Sequence, residues 1–422
     1  MTENAMSGAW HLTAGLAAPL LRWNLRRRVA RGKEVETRLP EREGFGAARP
    51  PGRLIWLHAA SVGESLSILP LIEALAEREP ALTLLVTTGT VTSARLLPQR
   101  LPEALRHRVL HRFAPLDVPA WVGRFLEGWR PDAAAFVESE LWPNSLAACA
   151  GRGIPLALLN ARMSQRSFTR WQRFAPGFAR LLLGRFQLIL PRSAEDAARL
   201  TALGATRLAT PGDLKLAAAP LPADEAALAA LRGAIGSRPV LFAASTHPGE
   251  EEQIIAAAAR IRVDFPELLT IIAPRHPDRG AGIAEAPRRA TGALPGRDPL
   301  YIADTMGELG LFYRVATLAF IGGSLVPHGG QNPLEAARLG CPVLFGPNMG
   351  NFRDVAEGLL ALGGARQVAD AAALAATVAD MLTNPEVGIA MAGAAAGLVS
   401  ASSDLPARMA EALLALAHPR QD

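Results

Sequence analysis

The sequence is poor in cysteine and aromatic residues, and each shortage excludes a class of protein. Cys149 and Cys341 are its two cysteines. They lie far apart in apolar stretches with no histidine cluster nearby, which indicates buried thiols rather than a disulfide framework or a zinc site. Aromatic residues make up 5% of the chain, and no basic stretch is interleaved with them, so nucleic acid is not expected as a partner.

The N-terminal region lacks a hydrophobic run long enough to cross a bilayer. Residues 12–21 are mostly apolar but include Gly15 and Pro19, whereas a spanning helix needs about 20 apolar residues. Arginines follow this run instead of preceding it, which argues against a secretory signal. We expect residues 1–35 to form an amphipathic segment that enters an anionic membrane surface, each arginine contributing about 1 kcal/mol. A helix packed on the adjacent domain is the alternative.

Apolar residues and arginine are abundant. Half of the 422 residues are hydrophobic and a fifth are charged, enough for two folded domains of about 150 to 200 residues each. The net charge of +5 favours anionic partners such as phosphorylated lipids or nucleotides. Lys33 and Lys215 are the only lysines.

Short apolar runs alternate with Ala- and Leu-rich stretches, which predicts parallel sheets covered on both faces. The predicted strands are RLIWLH, LTLLVTTG, AAAFVE, PLALLN and FQLILP, and then, after an Ala- and Pro-rich break, PVLFAAST, LLTIIAP, VATLAFIGG and PVLFG. We expect an α/β protein with an N-terminal domain over 36–216, a linker over 217–238 and a C-terminal domain over 239–422. Two Rossmann-like doubly wound domains facing each other across a cleft would form the GT-B architecture, which by itself does not establish an activity.

Carboxylates follow two of the strands predicted for the first domain. Glu64 stands in the strand-to-helix turn of HAASVGES, where it is either a functional group at the cleft or a stabiliser of the helix N-terminus. Glu138 and Glu140 follow AAAFV and are not expected in the core, because an unpaired buried charge is costly. Lys215 lies at the end of this domain and provides a compact positive charge.

Three residues at the end of the next strand are predicted as partners for Glu138 and Glu140. They are Asn160, Arg162 and Arg166 in LLNARMSQRS.

The second domain carries residues suited to holding a nucleotide. ASTHPGEEE, with His247, is typical of a capped helix start. Arg275 ends a strand, where its guanidinium can bind a phosphate. Backbone N–H groups of Gly329 and Gly330 and of the following helix start are expected to bind an anion, with Glu335 three residues into that helix accepting hydrogen bonds from ribose hydroxyls.

The chain resembles the 3-deoxy-D-manno-octulosonic acid (Kdo) transferases of lipopolysaccharide assembly. The resemblance extends to Phe352 and rests on HAASVGE, ESELWPN, NARMSQRS, GDLKL, ASTHPGEE, PRHP, DTMGEL and GGQNPLE, in the order of that family. The chain departs from the family at His328 and Gln331, where Arg and His are usual, at Ala303, where Gly is usual, and at Asp213, where Asn or Ser is typical.

The resemblance implies an inverting, metal-independent transfer of Kdo from CMP-Kdo to lipid IVA, without a cofactor, at the cytoplasmic face of the inner membrane. Glu64 matches the family's general base, and Glu138 and Lys215 match positions that stabilise the transition state. The matches to its CMP-binding positions are Pro274, Arg275, Met306, Gly307, Glu308, Asn332, Pro333, Leu334 and Glu335. The residues alone leave two alternatives, a UDP-sugar transferase or epimerase of the same fold and a non-enzymatic carbohydrate-binding membrane protein.

Overall fold

The computed structural model describes residues 3–210 and 212–417, which form two compact units. The first unit contains the chain up to Ala218 together with the residues from Ser402 onward. The second unit is Ala219–Ala401. Each unit contains one six-stranded parallel sheet.

The first sheet has the strand order β3-β2-β1-β4-β5-β6. Its strands are β1 (Leu54–His58), β2 (Thr83–Thr88), β3 (Val109–Phe113), β4 (Ala133–Val137), β5 (Leu156–Ala161) and β6 (Leu188–Pro191). Every residue of β1, β4 and β5 is buried, because helices cover both faces of the sheet. The continuous apolar runs in the sequence reflect this double coverage.

The helices of this part of the chain follow or precede the strands and are mostly short. They are α1 (Glu3–Leu16), α2 (Ala18–Val29), α3 (Leu39–Arg42), α4 (Val62–Ser67), α5 (Leu69–Arg78), α6 (Val91–Arg100), α7 (Pro119–Trp129), α8 (Pro143–Ala150), α9 (Gln165–Phe174), α10 (Pro176–Leu183) and α11 (Ala194–Ala202), with 3₁₀ turns at Glu36–Arg38 and Glu103–Leu105. Side-chain caps fix the starts of several of them. Ser61, Thr90, Ser164 and Ser193 each accept a hydrogen bond from the backbone N–H three residues on, which satisfies a donor that the helix leaves free.

The second sheet has the strand order β12-β11-β10-β7-β8-β9. Its strands are β7 (Val240–Thr246), β8 (Leu269–Pro274), β9 (Leu300–Ile302), β10 (Leu318–Ile321), β11 (Val343–Phe345) and β12 (Ala365–Gln367). The helices are α12 (Glu225–Ile235), α13 (Glu251–Ile261), α14 (Leu309–Val315), α15 (Leu334–Ala337), α16 (Arg353–Ala361), α17 (Ala371–Thr383) and α18 (Pro385–Ser400), with 3₁₀ turns at Pro277–Gly282, Arg289–Thr291 and Gly350–Phe352.

The two sheets have the same topology. Counted within its own unit, each sheet has the order 3-2-1-4-5-6 of a doubly wound fold. In such a sheet the connections leave in opposite directions from the first and fourth strands, and ligands bind at that switch point, beyond the carboxyl ends of the strands. The switch lies between β1 and β4 in the first unit and between β7 and β10 in the second.

The last helix of the described chain, α19 (Leu405–Ala417), belongs to the first unit. Its residues Leu405, Met409 and Leu413 are buried in one of the hydrophobic clusters of that unit. The second unit therefore differs at both ends from the domain predicted over 239–422, since it begins at Ala219 and ends at Ala401. An apolar helix in a sequence does not indicate which of two cores it joins.

Helices α1 and α2 pack on the first unit but keep apolar side chains exposed. Helix α1 contacts α7, α8 and α10, and the Trp10 indole donates a hydrogen bond of 3.3 Å to Asp117. Leu12 and Leu16 are nevertheless 67% and 82% exposed, and Leu20 and Trp23 of α2 are exposed as well. Both packing on the domain and an exposed apolar face are thus present in this segment.

One helical stretch of the described residues, Pro385–Ala417, is long and apolar enough to span a membrane by length and composition. It consists of α18 in the second unit and α19 in the first, with a turn between them. Core helices of soluble proteins pass the same test, and the apolar side of α19 is such a core surface.

Candidate active site

Glu64 lies in the first turn of α4, directly after β1. Ser61 and Glu64 form a variant of the capping box, in which the carboxylate bonds to the Ser61 hydroxyl and to the N–H of the preceding residue. The Ser61 hydroxyl accepts a hydrogen bond from the Glu64 N–H at 3.2 Å and donates one to Glu64 Oε1 at 2.7 Å, while the Ala60 N–H donates to Oε2 at 2.8 Å. Glu64 therefore stabilises the start of α4, which is one of the two roles expected for it from the sequence.

The environment of Glu64 also makes its carboxylate a stronger base than an ordinary glutamate. The side chain is buried, and burial raises the pKa of Glu64. The negative charges of Glu140 and Glu138 raise it further, although the hydrogen bonds from Ser61 and Ala60 work in the opposite direction. Capping a helix does not need a raised pKa, whereas a general base benefits from one.

Glu138 and Lys215 form an ion pair, with Lys215 Nζ 2.7 Å from Glu138 Oε1. Asp213 and Asn160 hold the loop that carries the lysine, because Asp213 Oδ1 accepts from the Lys215 N–H and Asn160 Oδ1 from the Leu214 N–H, both at 2.9 Å. The structure thus brings together two of the three predicted catalytic residues.

Backbone strain marks the same edges of the sheets. Glu138 and Asn160, at the ends of β4 and β5, have φ values of 59° and 51°, and Ser245 near the end of β7 has a φ of 58°. Residues other than glycine rarely adopt this left-handed region, and those that do are concentrated at functional sites.

Glu140 has different partners from those predicted. The Trp142 indole donates a hydrogen bond to its carboxylate, and His58 Nε2 lies 3.6 Å from the same oxygen, Oε2. Burial raises the pKa of Glu140, but the attraction of the nearby His58 ring and the hydrogen bond from Trp142 together outweigh burial, so the pKa is lowered overall. The prediction that Arg162 and Arg166 pair with Glu138 and Glu140 is wrong, because Lys215, His58 and Trp142 occupy those positions.

Two stacked imidazoles lie at the switch point of the second sheet. His247 directly follows β7, and its ring lies 4.3 Å from that of His328, centroid to centroid, at an interplanar angle of 19°. The Gln331 amide nitrogen is 3.0 Å from His247 Nε2, which fits a neutral ring whose Nε2 accepts this hydrogen bond. Burial lowers the pKa of His247, and the charges of His328, His276 and Arg275 lower it further.

The glycine-rich loop after β10 is held by a buried carboxylate. Glu250 accepts hydrogen bonds from the N–H groups of Gly323, Ser324 and Leu325 at 2.6, 2.9 and 2.9 Å. The Gly330 N–H donates to the Gly323 carbonyl at 2.8 Å. The expectation that this N–H binds an anion is therefore wrong, because the loop folds back and uses it internally.

The remaining residues predicted to bind the nucleotide follow β8, β9 and β10, which share the carboxyl edge of the second sheet with β7. Arg275 directly follows β8, its N–H donates to the Thr246 carbonyl at 2.9 Å, and its side chain is exposed. Met306, after β9, is 74% exposed, and Gly307 has a φ of 83°. At the start of α15, the N-cap Pro333 and the first helical residue Leu334 are buried, so only their backbone is available to a ligand.

Three acidic residues of this edge have different partners. Glu308 pairs with Arg289, with Arg289 Nη2 2.6 Å from Glu308 Oε1, and this hydrogen bond lowers the pKa of Glu308. Asp304 anchors the neighbouring segment through an ion pair of 2.6 Å with Arg288. Glu335 is half-buried, with Asn332 Nδ2 at 3.5 Å. Sequence reasoning missed Arg289, because nothing in its local pattern points to Glu308.

Among the described residues, no three His, Cys, Asp or Glu side chains are grouped as metal ligands. Independence of metal ions stays a prediction.

Comparison with known proteins assigns the chain to a family. Residues 37–218 match the sequence model of a family described as 3-deoxy-D-manno-octulosonic-acid transferase. A probable mitochondrial transferase of this kind from Arabidopsis thaliana is 37% identical over 396 residues, covering 89% of this chain and 88% of that protein. The transferase of Bordetella pertussis is 35% identical over 417 residues, covering 94% and 96%.

Solved structures agree in fold. The UDP-GlcNAc 2-epimerase of Neisseria meningitidis superposes with a TM-score of 0.57 at 13% identity, over 86% of this chain and all of that one. A spinosyn rhamnosyltransferase superposes with a TM-score of 0.53 at 16% identity, over the same shares. These likenesses confirm the predicted GT-B fold, with two Rossmann-like domains. The chain belongs to the Kdo transferase family and is a glycosyltransferase that transfers Kdo.

Proposed function

We propose that the protein transfers Kdo from CMP-Kdo to lipid IVA, with inversion at the anomeric carbon, in lipopolysaccharide assembly. The observation that carries this proposal is the environment of Glu64, whose buried carboxylate lies at the carboxyl edge of the first sheet with a raised pKa. Glu64 accepts the proton of the acceptor hydroxyl as its oxygen bonds to the anomeric carbon of Kdo. The bond from that carbon to the phosphate oxygen breaks, and its electron pair leaves with CMP.

The second unit holds the leaving group. Arg275, His247 and His328 supply positive charge or hydrogen-bond donors for the phosphate, and Glu335 accepts from the ribose hydroxyls. Met306, Gly307, Glu308 and the backbone of 332–334 form the rest of the cytidine site. The ion pair of Lys215 with Glu138 orients the lysine toward charge that develops in the transition state.

Since CMP is a good leaving group and these residues neutralise its phosphate, the reaction requires no metal ion. Transfer is expected to continue in the presence of a chelator. Inhibition by the chelator that a divalent cation reverses would contradict this part of the proposal.

The direct test is to incubate the purified protein with CMP-Kdo and lipid IVA in non-ionic detergent and to weigh the products. A lipid heavier by Kdo, with inverted anomeric configuration by NMR, is expected. The absence of such a product, or equal competition for the donor site by UDP and CMP, would overturn the proposal.

We also propose that α1 and α2 hold the protein on the cytoplasmic face of the inner membrane without spanning it. Exposed Leu12, Leu16 and Leu20 supply apolar contact, and the exposed residues Arg26 and Arg27 supply attraction to anionic lipid. Replacing the three leucines by serine is expected to reduce sedimentation with anionic vesicles, and 1 M salt to release only part of the wild-type protein. Unchanged sedimentation of the serine variant would leave the two helices as packing elements.

A further inference from the structure

One long stretch of the first unit is entirely basic in its charged residues. Between Leu141 and Ala194 the sequence contains no Asp, Glu or Lys but has eight arginines. Several of them are used within the fold. Arg152 pairs with Glu127 and Arg192 with Asp196, and Arg185 donates to the carbonyl of a proline.

Three of the other arginines lie in a row on α9. Arg166, Arg170 and Arg173 are spaced four and three residues apart, which places them on one face of a helix. All three are exposed, and none forms an ion pair within residues 3–210 and 212–417. Like charges at this spacing destabilise a helix. Arg173 lies over the ring of Phe174 at 5.4 Å to the centroid, but that ring is itself exposed, so the row contributes little to the fold.

The opposite face of α9 is fixed to the core. Phe168 and Trp171 pack against a buried cluster of the first unit, and the Trp171 ring lies 6.2 Å from that of Phe178. The arginine row is therefore held toward solvent in a defined direction.

The row also lies between the carboxyl edge of the first sheet and an exposed apolar surface. Helix α9 follows β5, so it starts at the carboxyl edge where Glu138 and Asn160 are found. It ends at Phe174, which is 70% exposed. Helix α9 packs against α10, and α10 packs against α1. The side chains of Leu12 and Leu16 in α1 are exposed.

We propose that Arg166, Arg170 and Arg173 form a binding site for the phosphate groups of the lipid acceptor. This inference rests on the proposed function, which supplies a phosphorylated lipid as acceptor. A guanidinium binds phosphate through two parallel hydrogen bonds. Seven residues of helix extend about 10 Å, which leaves room for more than one phosphate, and Phe174 at the end of the row contacts the acyl chains.

The starting point of the row favours the acceptor over bulk anionic lipid. An acceptor hydroxyl has to reach the carboxyl edge that carries Glu64, and Arg166 is in the first turn of a helix that begins at this edge. The exposed leucines of α1 and α2, with Arg26 and Arg27, already provide a surface for bulk lipid.

The test compares two triple variants that lose the same charge. Arg166→Gln, Arg170→Gln and Arg173→Gln together remove the row, and glutamine retains a good helix propensity. The control combines Arg78→Gln, Arg100→Gln and Arg106→Gln. These exposed arginines lie at the end of α5, at the end of α6 and shortly before β3, which places them near the amino edge of the same sheet. Because CMP binds the second unit and the substitutions lie in the first, an unchanged circular dichroism spectrum and an unchanged midpoint of urea unfolding show that each variant is folded.

Binding is measured by sedimentation with phosphatidylcholine vesicles that contain lipid IVA or its dephosphorylated form. Wild type and the control are expected to bind the phosphorylated lipid about 10-fold or more tightly than the dephosphorylated one, and the α9 variant to lose this preference. A preference that survives in the α9 variant would overturn the proposal. So would an equal loss of binding to vesicles containing phosphatidylglycerol instead of lipid IVA, which would assign the row to bulk lipid.

Because this readout requires no turnover, it separates the site from the proposed function. If binding depends on the row but wild type transfers no Kdo to lipid IVA, the phosphate site stands and the proposed function fails. If wild type transfers Kdo and the α9 variant keeps its phosphate preference, only the phosphate site fails.

Discussion

The switch point of the first sheet is surrounded by carboxylates, whereas that of the second carries two imidazoles and a glycine-rich loop. Glu64 follows β1 and Glu138 follows β4, while His247 follows β7 and the loop follows β10. Since both sheets have the strand order 3-2-1-4-5-6, the backbone offers the same crevice twice. The side chains placed there decide that one edge suits a base and the other an anion.

Two buried glutamates make the comparison sharper. Each lies shortly after the first strand of its sheet, yet Glu64 shares its two oxygens between a hydroxyl and one backbone N–H. Glu250 accepts from three backbone N–H groups of the loop after β10 and from that of His247. The first arrangement leaves a carboxylate with a raised pKa available for chemistry, and the second uses a carboxylate to fix a loop.

The largest expected effect is on turnover in Glu64→Gln. We expect kcat to fall by about 10² or more, because glutamine cannot accept the acceptor proton, while the dissociation constant for CMP stays unchanged. Glu77→Gln, at an exposed position of α5, is the matched control. Near-normal kcat in the purified Glu64 variant would remove this residue from the mechanism.

Glu250→Gln is expected to act on stability instead. The amide presents a donor to backbone N–H groups that already donate, at a cost of about 2 to 3 kcal/mol in the free energy of unfolding. Urea unfolding measures this loss. If Glu250→Gln were as stable as wild type, the loop would have to be held by other contacts, and the contrast between the two glutamates would be lost.

A smaller effect is expected for Arg275→Ala, about a 10-fold increase in the dissociation constant for CMP. The Arg275 side chain is exposed, so solvent weakens its attraction to phosphate relative to a buried pair. Titration calorimetry with CMP measures it, and Arg297→Ala, an exposed arginine ahead of β9, is the control. Equal affinities of the Arg275 variant and wild type would show that this arginine points elsewhere.

The smallest effect is a pH dependence of CMP binding that involves His247. Burial and neighbouring positive charge lower the pKa of His247 in the free protein, and a bound phosphate raises it, so binding takes up a proton. Affinity should therefore rise a few-fold as pH falls from about 7.5 to 6, around the ordinary histidine value of about 6.5.

Because CMP itself titrates in this range, the comparison is made between variants. In His247→Asn, the change of CMP affinity with pH should shrink to the part that comes from titration of the nucleotide itself. Identical pH profiles in His247→Asn and wild type would contradict a role of the stacked pair in binding phosphate.

The sequence predicts the central strands well and the edge strands poorly. β1, β4 and β7 stand out because they are buried on both sides, so each is a continuous apolar run. β3, β9 and β12 lie at sheet edges and are missing from the prediction. β3, for example, reads VLHRF with its three middle residues only partly buried, and an edge strand needs no apolar run.

Residues of the candidate site could be predicted where they directly follow a strand, because ligands of such sheets bind at the carboxyl ends of the strands. Glu64, Glu138 and Arg275 each follow a strand, so their position could be inferred from the chain alone. The partners of these residues could not, since His58 and Arg289 reach Glu140 and Glu308 through the tertiary fold. Glu250 looked like an acid at a helix start, and its role in holding the loop depends on a strand about 70 residues further on.

We assign the base to the carboxyl edge of the first sheet and the phosphate site to that of the second. The most direct test of this assignment is the pH dependence of kcat at saturating CMP-Kdo. The base must be ionised, so kcat should fall as pH decreases through the raised pKa of Glu64, above the ordinary value of 4.5. Glu140→Gln removes a negative charge that raises this pKa, and should shift the acid limb to lower pH. In Glu64→Gln the remaining activity should show no acid limb. An acid limb unchanged in Glu64→Gln would show that another group is the base and would contradict the account.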